Sequence, residues 1–258
     1  MNNSKPVIKF NPIYFLYFFW VMNHALFIWA LTLSSMGNYW LAGLGSGWLL
    51  HIFGQGIGLH RLFSHRSFKS SQFTEGAFCL LAILCQLGSS IAWTALHREH
   101  HQKSDGLDDP HSPKNSGFFS LWWGGYLLKK TISMRLAHDL LKSRMHLFVH
   151  KHYFHILLTI YAVVLLTYDW TILFFAICLP ALVTYHITMI GAIMVHKIGY
   201  RNFETNDCSK NSILVSIITA GDGWHNNHHE HPKKSYHGVH FWEFDLQGLL
   251  IHFLFKRS

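Results

Sequence analysis

Histidine is the residue type here whose placement could do chemistry. Of the 22 histidines in a chain of 258 residues, eight fall in three clusters: His60-Arg-Leu-Phe-Ser-His65, His97-Arg-Glu-His100-His101 and His225-Asn-Asn-His228-His229. Neutral imidazole is the commonest protein metal ligand. Eight imidazoles exceed the four-coordinate demand of one zinc, and structural zinc sites favour cysteine. The count therefore points to two metals, and all-imidazole ligation is compatible with iron. Residues three and four apart share a helix face, so His97, His100 and His101 can converge on one side, as can His225, His228 and His229. His60 and His65 are five apart, about 140° around a regular helix. They can face one point only if the helix ends between them, which predicts a break near Leu62–Ser64.

A ninth candidate is His196, placed where an apolar run gives way to Lys197. Metal-bound histidines need a partner for the second ring nitrogen. Glu99, Asp105, Asp108, Asp109, Asp222 and Glu230 are close enough in sequence to serve. The other histidines, His111 and His237 among them, read as interfacial, outer or surface residues. His186 lies ten residues before His196, about 15 Å deeper along a helix, and should face the protein interior.

Something must bring these clusters to one place. No Asp, Glu, Lys or Arg occurs between Lys9 and Arg61, and only Asp169 interrupts a second bare stretch from His152 to His196. About 20 apolar residues cross a bilayer as helix, so each stretch holds two crossings. They are expected near 12–34, 39–59, 152–168 and 171–195, with outer turns at Ser35-Met36-Gly37-Asn38 and at Asp169. Segment 76–96 is also uncharged, but a crossing there would put the first two clusters about 30 Å apart on opposite faces. It is expected to be a helix embedded in or lying along one leaflet that does not cross, with Gly88, Ser89 and Ser90 fitting a bend or close packing. The expected fold is an all-α membrane protein: four transmembrane helices plus a cytosolic helical cap carrying a histidine-rich di-metal site, one domain over residues 1–258.

Composition agrees. Half the residues are apolar, 13% are charged, and there are 21 Phe, 10 Trp and 10 Tyr, a balance suited to lipid surroundings. All 21 Lys and Arg lie outside the four crossings and on the histidine side. The positive-inside rule makes that side cytoplasmic, with both termini inside. The net charge of +8 then sits on one face, suiting anionic headgroups or an acidic electron carrier. Scattered basic residues without a recognised motif give no sign of nucleic acid binding. Cys79, Cys85, Cys178 and Cys208 form no C-x-x-C pair and read as buried thiols in a reducing setting.

The chain resembles the membrane fatty acid desaturases, specifically the acyl-CoA (stearoyl-CoA, Δ9-type) branch. The similarity is carried by Gly58-Leu-His-Arg-Leu-Phe-Ser-His-Arg-Ser-Phe68, by His97-Arg-Glu-His-His101 followed by Asp109-Pro-His111, and by Gly221-Asp-Gly-Trp-His-Asn-Asn-His-His229. His196-Lys-Ile-Gly-Tyr-Arg201 and Trp242-Glu-Phe-Asp245 extend it. The resemblance implies two iron ions held by His60, His65, His97, His100, His101, His196, His225, His228 and His229. It also implies insertion of a cis double bond into a saturated fatty acyl chain, using dioxygen and two electrons from an external donor such as a ferredoxin or a cytochrome b5-like protein. Two departures stand out. The family commonly has an asparagine at the position of Ala192, and Ser120-Leu-Trp-Trp-Gly124 replaces its Ser-His-x-Gly-Trp.

Removing hydrogen from an unactivated methylene needs an oxidant that side chains lack and di-iron supplies. The protein must then exclude water and fix one carbon in place. An apolar tunnel between the second crossing, the fourth crossing and segment 76–96 would do so, with His186 and Trp224 as candidate lining and with Thr188, as the resemblance implies, at its bend. Trp93, Trp122, Trp123 and Trp242 are candidates for its entrance or for interfacial anchors. The acyl group is CoA-, carrier- or lipid-linked, in a bacterial inner membrane or endoplasmic reticulum. A membrane di-iron hydroxylase of lipids or alkanes is the rival enzyme, although four residues rather than three separate His60 from His65. A metal transporter would need ligands along a membrane path, whereas the nine candidates lie outside the expected crossings.

Overall fold

The computed structural model describes residues 13–33, 37–124 and 133–255. Among them the regular structure is helical, with isolated antiparallel bridges only at Tyr200–Asn211 and Asn211–Trp224. The expected turn at Ser35-Met36 lies outside the described residues.

Helix α1 (Ile13–Ala30) is followed by α2 (Gly37–Leu50), which runs without interruption into a π-helical stretch, His51–Ser64. The break expected near Leu62–Ser64 is absent. A π-helix bonds residue i to i+5, so each turn holds more residues than the 3.6 of an α-helix and residues five apart come nearer to one face. The His65 N–H accordingly donates to the His60 carbonyl at 3.1 Å. Underwinding thus does what a chain break was expected to do: it brings residues five apart onto one face.

Segment 76–96 is likewise not one helix. Helix α3 (Gln72–Leu84) and helix α4 (Ser90–Lys103) are separated by a reversal at residues 85–89. Gln86 (φ 56°) and Gly88 (φ 102°) adopt left-handed backbone there, and the Ser89 hydroxyl caps α4 by accepting from the Ala92 N–H. Polar groups pin the reversal inside the bundle. Asn23, Gln86 and Tyr161 close a three-membered ring of hydrogen bonds of 2.9–3.0 Å, and Ser89 bonds His150 at 2.6 Å. At the other end, Arg66 pairs with Glu75 of α3 and with Asp139, while Arg98 of α4 pairs with the same Asp139. The outer ends of α3 and α4 therefore lie at one level: the segment goes in and comes back.

Short helices α5 (Pro113–Ser116) and α6 (Phe118–Trp122) lead toward α7 (Arg144–Thr167). The Asp169 carboxylate then caps α8 (Trp170–Met194) by accepting from the Ile172 N–H at 2.9 Å. Pro180 has no N–H to offer the preceding turn, and the ladder of α8 widens to π geometry over Phe174–Cys178, just before it. Helices α7 and α8 are each long and apolar enough to cross a membrane, whereas the described apolar stretch of α1, Leu16–Ala30, is shorter. Helix α7 starts eight residues earlier than expected. Helices α2 and α8 approach closely because Gly43 and Gly47 face α8; a Cβ on Gly47 would lie 2.6 Å from the Val183 Cβ. Leu41, Leu44, Leu158, Val163 and Leu166 remain exposed on the outer faces of α2 and α7, an apolar surface that suits lipid. The cap is completed by α9 (Ile213–Thr219), α10 (His225–Glu230) and α11 (Leu246–Phe255).

Candidate metal centre

The nine candidate histidines come from the π-helix and its C-terminal cap, α4, α10 and the turn just beyond α8, and they meet in two adjoining clusters. His60, His65, His97, His101 and His228 form one; His100, His196, His225 and His229 form the other. Within each cluster one ring nitrogen per residue lies within 4.8 Å of all the others. The clusters touch, with the rings of His101 and His229 4.3 Å apart between centroids. The triplets do not converge on single points as their spacing suggested. The i,i+4 pair of α4 (His97, His101) joins the first cluster and His100 the second. On α10 the i,i+4 pair (His225, His229) joins the second cluster and His228 the first. An i,i+4 pair lines up along a helix face, whereas the intervening residue points about 100° away from its neighbour.

The ring nitrogens meet at hydrogen-bond distance, and the outer nitrogens of several rings are directed at carboxylates. Carboxylates accept from the outer nitrogen of His100 (Asp109, 2.9 Å), His196 (Asp105, 2.8 Å) and His229 (Asp207, 2.6 Å). Asp222 approaches His60 Nδ1 at 3.3 Å. A proton held on Nδ1 leaves a lone pair on Nε2 of a neutral ring, and these lone pairs face inward. His229 Nε2 is buried with no partner. The short Nε2–Nε2 approaches are 2.7 Å for His65–His97, 3.0 Å for His60–His228 and 3.1 Å for His97–His101, His101–His228 and His196–His225. A cation about 2.1 Å from each imidazole nitrogen, with neighbouring nitrogens at right angles, sets edges of about 3.0 Å by geometry. The donor set fits two such ions.

Electrostatics favour the ligating form. Burial, reinforced by neighbouring imidazoles, holds His65, His97, His100, His101, His225 and His228 well below the ordinary imidazole range, so they stay neutral. Burial is the largest influence on Asp105 and would raise it, but His196, the Cys208 N–H and the Ser112 hydroxyl together outweigh it and bring Asp105 down to about 2. Asp207 and Asp222 are likewise held below the usual carboxylate range against their burial, largely by His229 and His60 respectively. Burial pushes Asp109 up to about 6, although the N–H groups of His111 and Asp105 oppose the shift.

A cavity of about 80 Å³ opens beside both clusters, between the π-helix, α4 and α8. Thr188, Trp93, Leu96, Met189 and Ala192 are among its walls. Of the three expected lining residues only Thr188 reaches it. His186 faces α1 and α6 instead, accepting from the Trp122 indole at 2.9 Å and meeting His24 at 3.1 Å. Trp224 is buried beneath α10, its indole N–H donating to the Phe244 carbonyl. Trp242 stacks on His240, away from the cavity.

Further partners surround the clusters, and Asp207 among them escaped the sequence reading. Asp207 lies in a loop whose spacing carries no signal. His237 sits 4.5 Å from the His228 ring and accepts from Arg61, and His111 stacks on His100 at 4.0 Å. Arg61 is fully buried between Asp222 (3.1 Å) and Asp245 (2.9 Å); its place directly after His60 was the available clue. Of the suggested carboxylates, Glu99 bonds Lys103 instead.

The sequence profile of the fatty acid desaturase family matches residues 38–247. The chain belongs to the fatty acid desaturase family. It is an oxidoreductase. It is 32% identical to the sn-1 stearoyl-lipid 9-desaturase of Synechocystis sp., over 98% of this chain and 80% of that protein. The Δ9 acyl-lipid desaturase 1 of Arabidopsis thaliana is 28% identical, over 96% and 80%. The acyl-CoA C20 Δ5-desaturase of Anemone leveillei is 27% identical, over 90% and 75%. In this desaturase the histidine clusters, the carboxylates behind them and the apolar cavity beside them occupy one contiguous region.

Proposed function

We propose that this desaturase inserts a cis double bond, Δ9-type, into a saturated acyl chain, with two irons held by the nine clustered histidines. The observation that carries the reading is the division of nine ring nitrogens into clusters of five and four beside an apolar cavity. Several of its relatives are named as acyl-lipid 9-desaturases, which favours a lipid-linked acyl group over a CoA-linked one. The irons supply the oxidising power that an unactivated methylene requires.

The chain's own residues do the rest. Asp105, Asp109, Asp207 and Asp222 fix ring orientation and keep the inner nitrogens unprotonated. Trp93, Leu96 and Met189 keep water from the cavity, and Thr188 and its neighbours on α8 fix the depth to which an acyl chain enters. Electrons come from a separate carrier such as a ferredoxin or a cytochrome b5-like protein. The single domain, residues 1–258, crosses the membrane four times: by α1, by α2 with its π extension, by α7 and by α8. The inward-and-back pair α3–α4 leaves both termini and the site cytoplasmic, in a bacterial inner membrane or the endoplasmic reticulum.

Expression in a host without desaturases, followed by lipid mass spectrometry with double-bond localisation, tests this. The expected product is a Δ9 monounsaturated chain on a glycerolipid. A new hydroxyl group in place of the double bond would support the hydroxylase reading instead.

A further inference from the structure

The two histidine clusters differ in what stands behind them. In the four-imidazole cluster, His100, His196 and His229 each donate to their own carboxylate, Asp109, Asp105 and Asp207. Those carboxylates otherwise accept only from neutral groups. Asp105 takes the Cys208 N–H and the Ser112 hydroxyl; Asp109 takes the N–H groups of Asp105 and His111; Asp207 takes Ser209 and Thr205. Among the described residues none of the three pairs with Lys or Arg. In the five-imidazole cluster, among the described residues, only His60 has a carboxylate, Asp222. That carboxylate is shared with Arg61, whose charge is wholly buried beside the cluster. His228 Nδ1 is buried and has no partner.

We propose that the two clusters take up metal unequally, the four-imidazole cluster first and more tightly, with Asp105, Asp109 and Asp207 as the positioning residues that set the order. The proposal rests on the reading of the nine histidines as a two-metal site. A carboxylate behind a metal-bound histidine raises its basicity, and losing one costs about 10–100-fold in affinity. Two more such carboxylates, each worth about 10–100-fold, favour the four-imidazole cluster against the fifth imidazole of the other. Arg61 acts in the same direction, because its ion pair with Asp222 draws on the one carboxylate that stands behind the five-imidazole cluster.

The test uses the full chain in detergent, stripped of metal with a chelator and titrated with cobalt(II) alone. Bound cobalt per chain is counted and the visible absorption followed. The expected result is two phases separated by roughly a hundredfold or more, with X-ray absorption at one equivalent reporting four imidazoles rather than five. Asp207→Asn should weaken the first phase by about 10–100-fold and leave the second in place, with Asp207→Glu recovering part of the loss. Asp105→Asn should act on the same phase, and it serves if Asp207→Asn does not fold. Two equivalents of indistinguishable affinity, or a substitution at Asp207 that weakens the later phase, would overturn the proposal. Fewer than two cobalt ions per chain would overturn the two-metal reading itself.

Discussion

His60 and His65 stand one π-helical turn apart, linked by the His65 N–H donating to the His60 carbonyl at 3.1 Å, with their rings edge to face at 5.0 Å. Five residues of ordinary α-helix would leave them about 140° apart. The underwound turn is therefore part of the site. Inserting one alanine between Phe63 and Ser64 should move His65 off the shared face, lower bound iron to about one per chain and abolish turnover. Iron counted on purified protein, beside product analysis, checks this; two retained irons would show that the turn does not set the register.

His228 meets His60 and His101 at 3.0 and 3.1 Å through the same nitrogen. His228→Ala should abolish desaturation while the protein still inserts and elutes as the native chain does, because the helices keep their packing. Full activity would remove that histidine from the centre.

Thr188 lines the cavity with its hydroxyl donating to the Thr184 carbonyl at 2.7 Å. Thr188→Phe should fill the inner cavity and shift the product profile toward shorter acyl chains, by at least about tenfold against an eighteen-carbon chain, since each lost methylene contact is worth about 0.8 kcal/mol. Lipid profiling reads the ratio; an unchanged profile would place chain-length selection elsewhere.

Ala192 also lines the cavity, at the position where the family commonly carries asparagine. Ala192→Asn should preserve or raise iron occupancy, the amide adding a polar group on the metal side of α8. A marked loss of iron would show that the local geometry has diverged.

Burial would raise the Asp139 carboxyl, but Arg98 and Arg66 outweigh it and hold Asp139 well below the usual carboxylate range. A depressed folded-state value gives stability that is fully present above the unfolded value of about 3.9 and is lost as pH falls below it. The Tm should therefore drop steeply below about pH 4. Asp139→Asn should lower Tm at neutral pH and flatten that acid dependence, because it frees Arg66 and Arg98 from the link between α3 and α4. A parallel pH profile in wild type and variant would assign the acid sensitivity to other carboxylates.

Spacing and composition alone carried the inventory: which nine histidines belong together, that the chain is helical, and that segment 76–96 must not separate the first two clusters. They did so because ligand chemistry and the width of a bilayer are local constraints, written into residue type and run length. The tertiary structure decided how the inventory is arranged. Helix phase distributed His97, His100 and His101 over two clusters, and a π-helix replaced the expected break after His60. A reversal at residues 85–89 replaced a single embedded helix. Asp207 reached His229 from a loop 22 residues away, and His186 and Trp224 turned away from the cavity toward partners on other elements. Each of these depends on which distant surfaces pack together and on a helix's departure from 3.6 residues per turn, and a linear pattern of residue types records neither.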